Sequence, residues 1–448
     1  MVFPRQHQMG YMSLKRDYQA RRYPPLGLMY ISSALKEIGL QTDLVDATAA
    51  DVGPEDILRL VGQNNYLFAG FYADTTTKHS VRDYCRTIRR NFNTAILIGG
   101  PATFIPDFFL EDENTIVVRG EGEQTVKKVS RALLEKQDFS GLPGISYLKN
   151  GSVFHNPPAL LVENLDSLAF PDRAAIKMKN YHDYYNLNCR SPFATIITSR
   201  GCPTNCAYCT SSNFWGRKVR FRSVANVIEE IKYVISRHRV RYIDFVDDMF
   251  NLNRKWLNDF CDAVIREKLA FRWSCSMYPL DTPRGLLKKV KQAGGNTIRL
   301  GLQSADPDVL VNVHRRPESV KHARGLIENA RKLGFIIFLD FIFGLPGENR
   351  ESVEKSITFA VRTNPQITKF YKLDILEGSE IYYQTLKSPL VTSLSDREID
   401  EYCAAGWKKF YFRPVKVLDF LALYLKNPVM IRRAFRHLNV FRSFLKWR

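Results

Sequence analysis

Short apolar runs alternate with stretches of helical spacing through most of the chain. In the first 150 residues the runs fall at 41–46, 67–71, 95–98 and 116–118. Helical spacing fills the intervals, at 28–38 behind Pro24–Pro25–Leu26–Gly27, then near 54–62, 81–92 and 124–136. Strands each followed by a helix predict a parallel, doubly wound sheet. Its glycine-bearing turns, Gly99–Gly100 and Arg119–Gly120–Glu121–Gly122–Glu123, fall at strand C-terminal ends, where such sheets bind ligands. The chain opens on Val2–Phe3–Pro4, which reads as the tail of a first strand. A clipped first strand or a missing sheet edge is therefore expected.

Residues 151–190 are irregular and carry Pro157, Pro158 and Pro171, as an interdomain connector would. From residue 194 the alternation resumes and persists. Strands are expected at 194–198, 242–246, 271–276, 297–302, 336–343 and 369–376. Helices centre on 224–236, 254–268, 282–293, 319–333 and 350–363. Six βα units predict a barrel or partial barrel with its site at the strand C-termini. The expected division is an α/β front domain over 1–150, a linker over 151–190, a barrel over 191–395 and a basic helical extension over 396–448.

Composition narrows the class. Of 448 residues, 45% are hydrophobic and 25% charged, which excludes a wholly disordered, collagen-like or coiled-coil chain. No uninterrupted apolar run reaches the ~18 residues of a membrane span, and the N-terminal MVFPRQHQMG lacks a signal-peptide core. A soluble, cytoplasmic chain is expected. The net charge is +19, and residues 401–448 hold eleven Lys or Arg against two acids. Such a bias suits nucleic acid, an anionic membrane surface or an anionic substrate. The tail, at 415–426 and 428–445, is amphipathic, and it reads first as two helices closing the barrel, with membrane-surface contact as the alternative. It contains no recognisable nucleic-acid module, so no nucleic-acid partner is expected.

The chemistry concentrates in one loop. Eight cysteines without a secretion signal are expected to be reduced, and Cys202, Cys206 and Cys209 crowd into Cys-Pro-Thr-Asn-Cys-Ala-Tyr-Cys after the first barrel strand. Cys85, Cys189, Cys261, Cys275 and Cys403 are scattered, and buried small-apolar roles suffice for them. Three clustered thiolates can hold three irons of a 4Fe–4S cluster and leave the fourth open. Zinc with a distant fourth ligand is the alternative use of the same thiolates.

Cys-x-x-x-Cys-x-Tyr-Cys in this setting resembles the radical SAM superfamily. The resemblance implies that the open iron binds S-adenosylmethionine, which the reduced cluster cleaves to a 5′-deoxyadenosyl radical, with electrons from a donor such as flavodoxin or ferredoxin. Cys202, Cys206 and Cys209 would be the ligands and Tyr208 would pack beside the adenine. Asp247–Asp248–Met249–Phe250 resembles the segment that binds the methionine amino group. Gly301–Leu302–Gln303–Ser304 resembles the ribose and carboxylate contact, with Gln303 where the family often has Glu. Phe343–Gly344–Leu345–Pro346–Gly347–Glu348 and Glu377–Gly378–Ser379–Glu380 resemble the turns after the fifth and sixth strands. The family commonly has an arginine near the end of the third strand, where this chain has Ser276–Met277–Tyr278.

A doubly wound domain ahead of such a barrel resembles the cobalamin-binding subgroup. That resemblance rests on Pro24–Pro25–Leu26–Gly27–Leu28, Ile98–Gly99–Gly100–Pro101 and the Gly120–Glu121–Gly122 turn, and it extends to Phe410–Tyr411–Phe412–Arg413–Pro414. Thr75 and Thr76 would bond the cofactor tail. Of the Asp-x-His-x-x-Gly pattern that supplies an axial cobalt ligand elsewhere, only His7 and Gly10 are present. The function implied is C-methylation of an unactivated carbon in a small-molecule or lipid-like substrate. Radical oxidative cyclisation or rearrangement is the alternative. An RNA methylthiotransferase would need a second cysteine trio in the front domain, which holds only Cys85. An electron carrier would have no use for the adenine- and methionine-binding turns.

Overall fold

The computed structural model describes residues 1–5, 21–183, 192–389 and 392–425. In the front domain, β1 (Val2–Phe3), β2 (Val45–Asp46), β3 (Phe68–Tyr72), β4 (Ala95–Gly99) and β5 (Thr115–Val118) are parallel, in the order β2-β1-β3-β4-β5. The opening strand is short, yet it lies inside the sheet: Val2 pairs with Val45 on one side and Phe71 on the other. Helices α1 (Leu26–Lys36) and α4 (Gly122–Glu135) cover one face, burying Leu35, Val126 and Val129. Helices α2 (Pro54–Gln63) and α3 (Lys78–Asn91) cover the other with Ile57, Val81 and Ile88. Both faces are dry, which is why the strands read as continuous apolar runs.

The sheet then continues where the sequence reading placed a linker. β6 (Ile145–Lys149) pairs antiparallel with β5, and β7 (Ser152–His155) pairs antiparallel with β6. Asn150 and Gly151 join them, both at positive φ, as a two-residue hairpin turn requires. The front unit thus runs to His155. β7 is exposed along its whole length, so it presents no apolar run to a sequence reading.

The second sheet is the expected partial barrel. Its strands are β8 (Phe193–Ile196), β11 (Tyr242–Phe245), β12 (Arg272–Met277), β13 (Gly295–Gln303), β14 (Ile336–Phe343) and β15 (Ile367–Lys372), all parallel and in sequence order. A small hairpin, β9 (Ser199–Arg200) with β10 (Arg220–Phe221), frames the cysteine loop after β8. Among the described residues β15 does not pair with β8, so the barrel has an open seam. Alternate strand residues such as Phe245, Trp273, Leu300, Leu339 and Phe341 point outward and are fully buried under the helices. The residues between them line the interior.

After the barrel, α5 (Asp396–Tyr411) packs on β15; the Tyr411 hydroxyl donates to Thr368 O at 2.8 Å and accepts from Thr368 N at 3.0 Å. This helix, ahead of the 415–426 and 428–445 segments for which a closing role is expected, is the one among the described elements that is packed on the last barrel strand. The next, α6 (Pro414–Leu425), buries Lys416 against the Pro365 carbonyl while Val415, Val417 and Leu418 are exposed. Residues 426–448, with most of the basic tail, and His7, Gly10 and Cys189 lie outside the described residues. No helix among the described residues is long and apolar enough to cross a membrane.

Candidate active site

The cysteine loop is held by backbone on three sides. Cys202 N donates to Gly216 O (3.1 Å), Ala207 N to Val313 O (3.2 Å), and Ile381 N to Ala207 O (2.9 Å). Gly201 sits at φ +107°, where a Cβ would overlap the Lys218 carbonyl. The loop can turn here only because the residue is glycine. Cys202 Sγ and Cys206 Sγ lie 3.1 and 3.6 Å from the same atom, Thr204 Oγ1, and Ser211 N donates to Cys209 Sγ at 3.5 Å. Burial pushes the Cys202 and Cys209 thiols up. Among the described residues no three His, Cys, Asp or Glu gather tightly enough for a single metal ion. Cys202 and Cys206 thus share Thr204, and Cys209 lies near enough to Cys206 for their charges to interact. The other described cysteines, Cys85, Cys261, Cys275 and Cys403, are free and buried, as small apolar residues would be.

Sequence reasoning missed the cation beside this loop. Arg315 is buried; its Nη1 donates to Tyr208 Oη at 3.0 Å and lies 3.9 Å from Cys206 Sγ, and its Nη2 donates to Gly301 O at 2.7 Å. Its guanidinium also lies 4.5 Å from the Tyr278 ring centroid. Arg315 Nε is buried without a hydrogen-bond partner. A permanent positive charge here suits an anionic cluster or the carboxylate of a bound amino acid. Nothing local in the sequence marks it, since its partners lie up to 109 residues away.

The strand-end turns supply complementary groups. Asp247 is buried after β11; its Oδ1 accepts from Thr198 N (3.0 Å), Thr198 Oγ1 (2.8 Å) and Ser199 Oγ (2.6 Å). Its Oδ2 is buried and has no partner, and burial raises the carboxyl pKa to about 6. Neighbouring Asp248 accepts from Ser211 Oγ at 2.9 Å, and burial raises its pKa too. Gln303 ends β13 at φ +74° with its buried Oε1 unpartnered. Ser304 is fully buried, its hydroxyl accepting from Asp306 N at 3.1 Å. Gly344 and Gly347 both have positive φ, and Glu348 closes their turn by accepting from Gly344 N at 2.5 Å. Tyr208 packs with Ala207, Leu345 and Ile381, so the turns after the first, fifth and sixth strands meet. The unpartnered oxygens of Asp247 and Gln303 are the kind of orphan a bound cofactor satisfies.

An arginine of the fourth strand lies beside the end of the third: Arg299 Nε donates to Ser276 Oγ (3.2 Å), Nη2 to Phe245 O (3.1 Å), and Nη1 lies 2.6 Å from Asp244 Oδ1. Asp244 Oδ2 accepts the Tyr23 hydroxyl at 2.7 Å, so a front-domain residue reaches into the barrel. A cavity of about 420 Å³ opens here between Tyr23, Pro24 and Leu26 of the front domain and Thr195, Asp244, Val246, Asp247, Asp248, Ser276 and Arg299 of the barrel, so its walls are partly apolar.

The front-domain turns face the same rim. Gly100 and Gly120 have positive φ, and a Cβ on Gly99 or Gly120 would enter open space, so bare backbone is available there for a large ligand. Gly122 packs against Ile31. Glu121 is spent between the domains: Oε1 lies 2.7 Å from Arg220 Nη2, and Oε2 accepts from Val162 N at 2.8 Å. Thr75 Oγ1 donates to Glu377 Oε2 at 2.5 Å, with Lys78 paired to the same carboxylate. Thr76 N and Oγ1 donate to Asp74 Oδ1 at 2.9 and 2.6 Å. The side chains of Glu121, Thr75 and Thr76 therefore shape the domain junction, and the glycine backbone is what remains for a cofactor.

Comparison with known proteins agrees with this geometry. Residues 196–360 match the radical SAM superfamily and residues 20–130 the B12-binding domain. The uncharacterized methyltransferase PH0819 of Pyrococcus horikoshii is 30% identical over 426 residues, covering 92% of this chain and 90% of that protein. The chain belongs to the cobalamin-binding radical SAM family. This radical SAM protein is also 27% identical over 365 residues to the anaerobic magnesium-protoporphyrin IX monomethyl ester cyclase of Cereibacter sphaeroides, covering 78% of the chain and 58% of the cyclase. Its fold resembles the radical S-adenosylmethionine methyltransferase TsrM from Kitasatospora setae, solved with cobalamin and a [4Fe–4S] cluster, with TM-score 0.69 and 17% identity over 93% of this chain and 82% of that one. Its cofactors are a 4Fe–4S cluster, S-adenosylmethionine and cobalamin.

Proposed function

We propose that this enzyme methylates an unactivated carbon of a small-molecule or lipid-like substrate, with Cys202, Cys206 and Cys209 holding the cluster and the Gly99–Gly100 and Gly120–Gly122 turns receiving cobalamin. When bound, the cluster, S-adenosylmethionine and cobalamin supply a carbon-centred radical and a transferable methyl group. The residues do the rest. Asp247 Oδ2 accepts from the ammonium of S-adenosylmethionine, and Arg315 pairs with its carboxylate. Gln303 meets the ribose, while Tyr208 and the Gly344–Gly347 turn flank the adenine. The electron for that cluster would come from a one-electron donor of the flavodoxin or ferredoxin class.

The observation that carries this reading is the cavity itself, lined by both domains and by the unpartnered oxygen of Asp247. The test is anaerobic turnover with methyl-labelled S-adenosylmethionine, following 5′-deoxyadenosine and label in product. Ring closure without methyl gain would identify the cyclase reading instead. For the tail, exposed Val415, Val417 and Leu418 lead into residues 426–448, which carry seven Lys or Arg and no acid. That combination supports peripheral contact with an anionic membrane. It would lie at the barrel end away from the cluster, since Lys416 docks on Pro365 ahead of β15. Salt-sensitive sedimentation with anionic liposomes, lost on deletion of 415–448, tests it.

A further inference from the structure

The floor of the cavity bears on the substrate. Asp244 and Arg299 form a buried ion pair there, and both carboxylate oxygens are taken: Oδ1 by Ser274 Oγ (2.6 Å) and Arg299, Oδ2 by Tyr23. Arg299 keeps 18% of its side chain exposed, and its Nη2, with two N–H groups, has one hydrogen bond, to Phe245 O. Thr195 is 2% exposed, lines the same cavity, and its Oγ1 has no partner. A hydrocarbon pressed onto this floor would strip water from Arg299, which opposes binding, and would leave Thr195 Oγ1 as unpartnered as it is now. An oxygen-bearing group would satisfy both.

We infer that the substrate is a polar molecule that enters oxygen-first, with a hydroxyl, carbonyl or carboxylate oxygen accepting from Arg299 and Thr195, and that these two residues set specificity. Tyr23 and Asp244 act as positioning residues that hold the guanidinium. The inference rests on the methyl-transfer reading above, and it chooses between the small-molecule and lipid-like substrates that the sequence left open.

The test uses reconstituted holoenzyme, methyl-labelled S-adenosylmethionine and cell extract split into water-soluble and chloroform-soluble fractions. Label is expected in the water-soluble fraction. With the purified substrate, Thr195→Val should lower kcat/KM roughly tenfold and Arg299→Leu roughly a hundredfold or more. In both variants the change in the reduced cluster's electron paramagnetic resonance signal on adding S-adenosylmethionine should persist, showing an intact cofactor site. Label in the chloroform fraction overturns the inference. So does unchanged kcat/KM in Thr195→Val, which carries no charge change and should fold even if Arg299→Leu does not. If no fraction gains label, methyl transfer itself fails. The fraction that stimulates 5′-deoxyadenosine formation then decides: water-soluble supports the inference, and chloroform-soluble overturns it.

Discussion

Arg200 Nη2 lies 2.5 Å from Glu123 Oε1, joining the residue next to the cysteine loop to the first turn of a front-domain helix. Both groups are buried, Glu121 lies 3.7 Å from the same guanidinium, and the cation sits between the rings of Tyr30 and Trp215. Arg200 thus ties the cysteine-loop side of the barrel to the front domain, beside the Arg220–Glu121 pair. Replacing Arg200 by Met should cost about 3–5 kcal/mol, because it leaves Glu123 buried without its cation, while Glu121 keeps Arg220. Denaturant unfolding measures this, and restoring stability with Glu123→Gln in the same chain would confirm the cause.

Alanine at Cys202, Cys206 or Cys209 should each abolish 5′-deoxyadenosine formation and lower bound iron, whereas Cys261→Ala should keep both. Cys261 is buried among Phe260, Val264 and Leu257, away from the loop. Cleavage at the wild-type rate in any of the first three would sink the assignment.

Gly201→Ala should destabilise the loop without touching a ligand. The new methyl group would meet backbone, at Lys218, and backbone cannot rotate aside. Iron content after reconstitution should fall severalfold, while circular dichroism stays near that of the parent.

Asp247 makes the stability of the cofactor-free protein depend on pH. Its folded pKa, about 6, exceeds the ordinary carboxylate value because burial disfavours the charge. The unfolded chain therefore loses its proton first, so stability falls as pH rises from about 4 to about 6, by up to roughly 3 kcal/mol. Asp247→Asn should flatten that slope. A parent slope unchanged in Asp247→Asn would show that another group titrates.

The legible parts of the sequence were those with a short-range signature. The cysteine spacing, the strand-end glycines and the alternation of β8 to β15 with helices all appear within windows of a few residues. The hairpin at Asn150–Gly151 carried a signal too, since that dipeptide favours the positive φ seen at both positions, but the exposed strand after it hid the sheet's extension. Arg315 and Arg299 were illegible for a different reason. Each acquires its role from strands or loops brought alongside by the barrel, Arg299 at Phe245 and Asp244, Arg315 at Cys206. The third strand ends without an arginine, and no spacing rule marks Arg299 on the neighbouring strand as the residue that packs beside Ser276.

Three of the polar grips between front domain and barrel stand apart: Arg200 with Arg220 on Glu123 and Glu121 beyond the first strand, Glu377 on Thr75 and Lys78 beyond the sixth, and Asp244 inside the second through Tyr23. Two such grips would define an axis about which the halves could swing like a door. The third lies below the rim, off that axis, and turns the door into a tripod. A ligand as large as cobalamin then cannot be exchanged by simple swinging. At least one foot must lift, and the Tyr23–Asp244 contact is the lightest, being a single hydrogen bond where the other two are ion pairs.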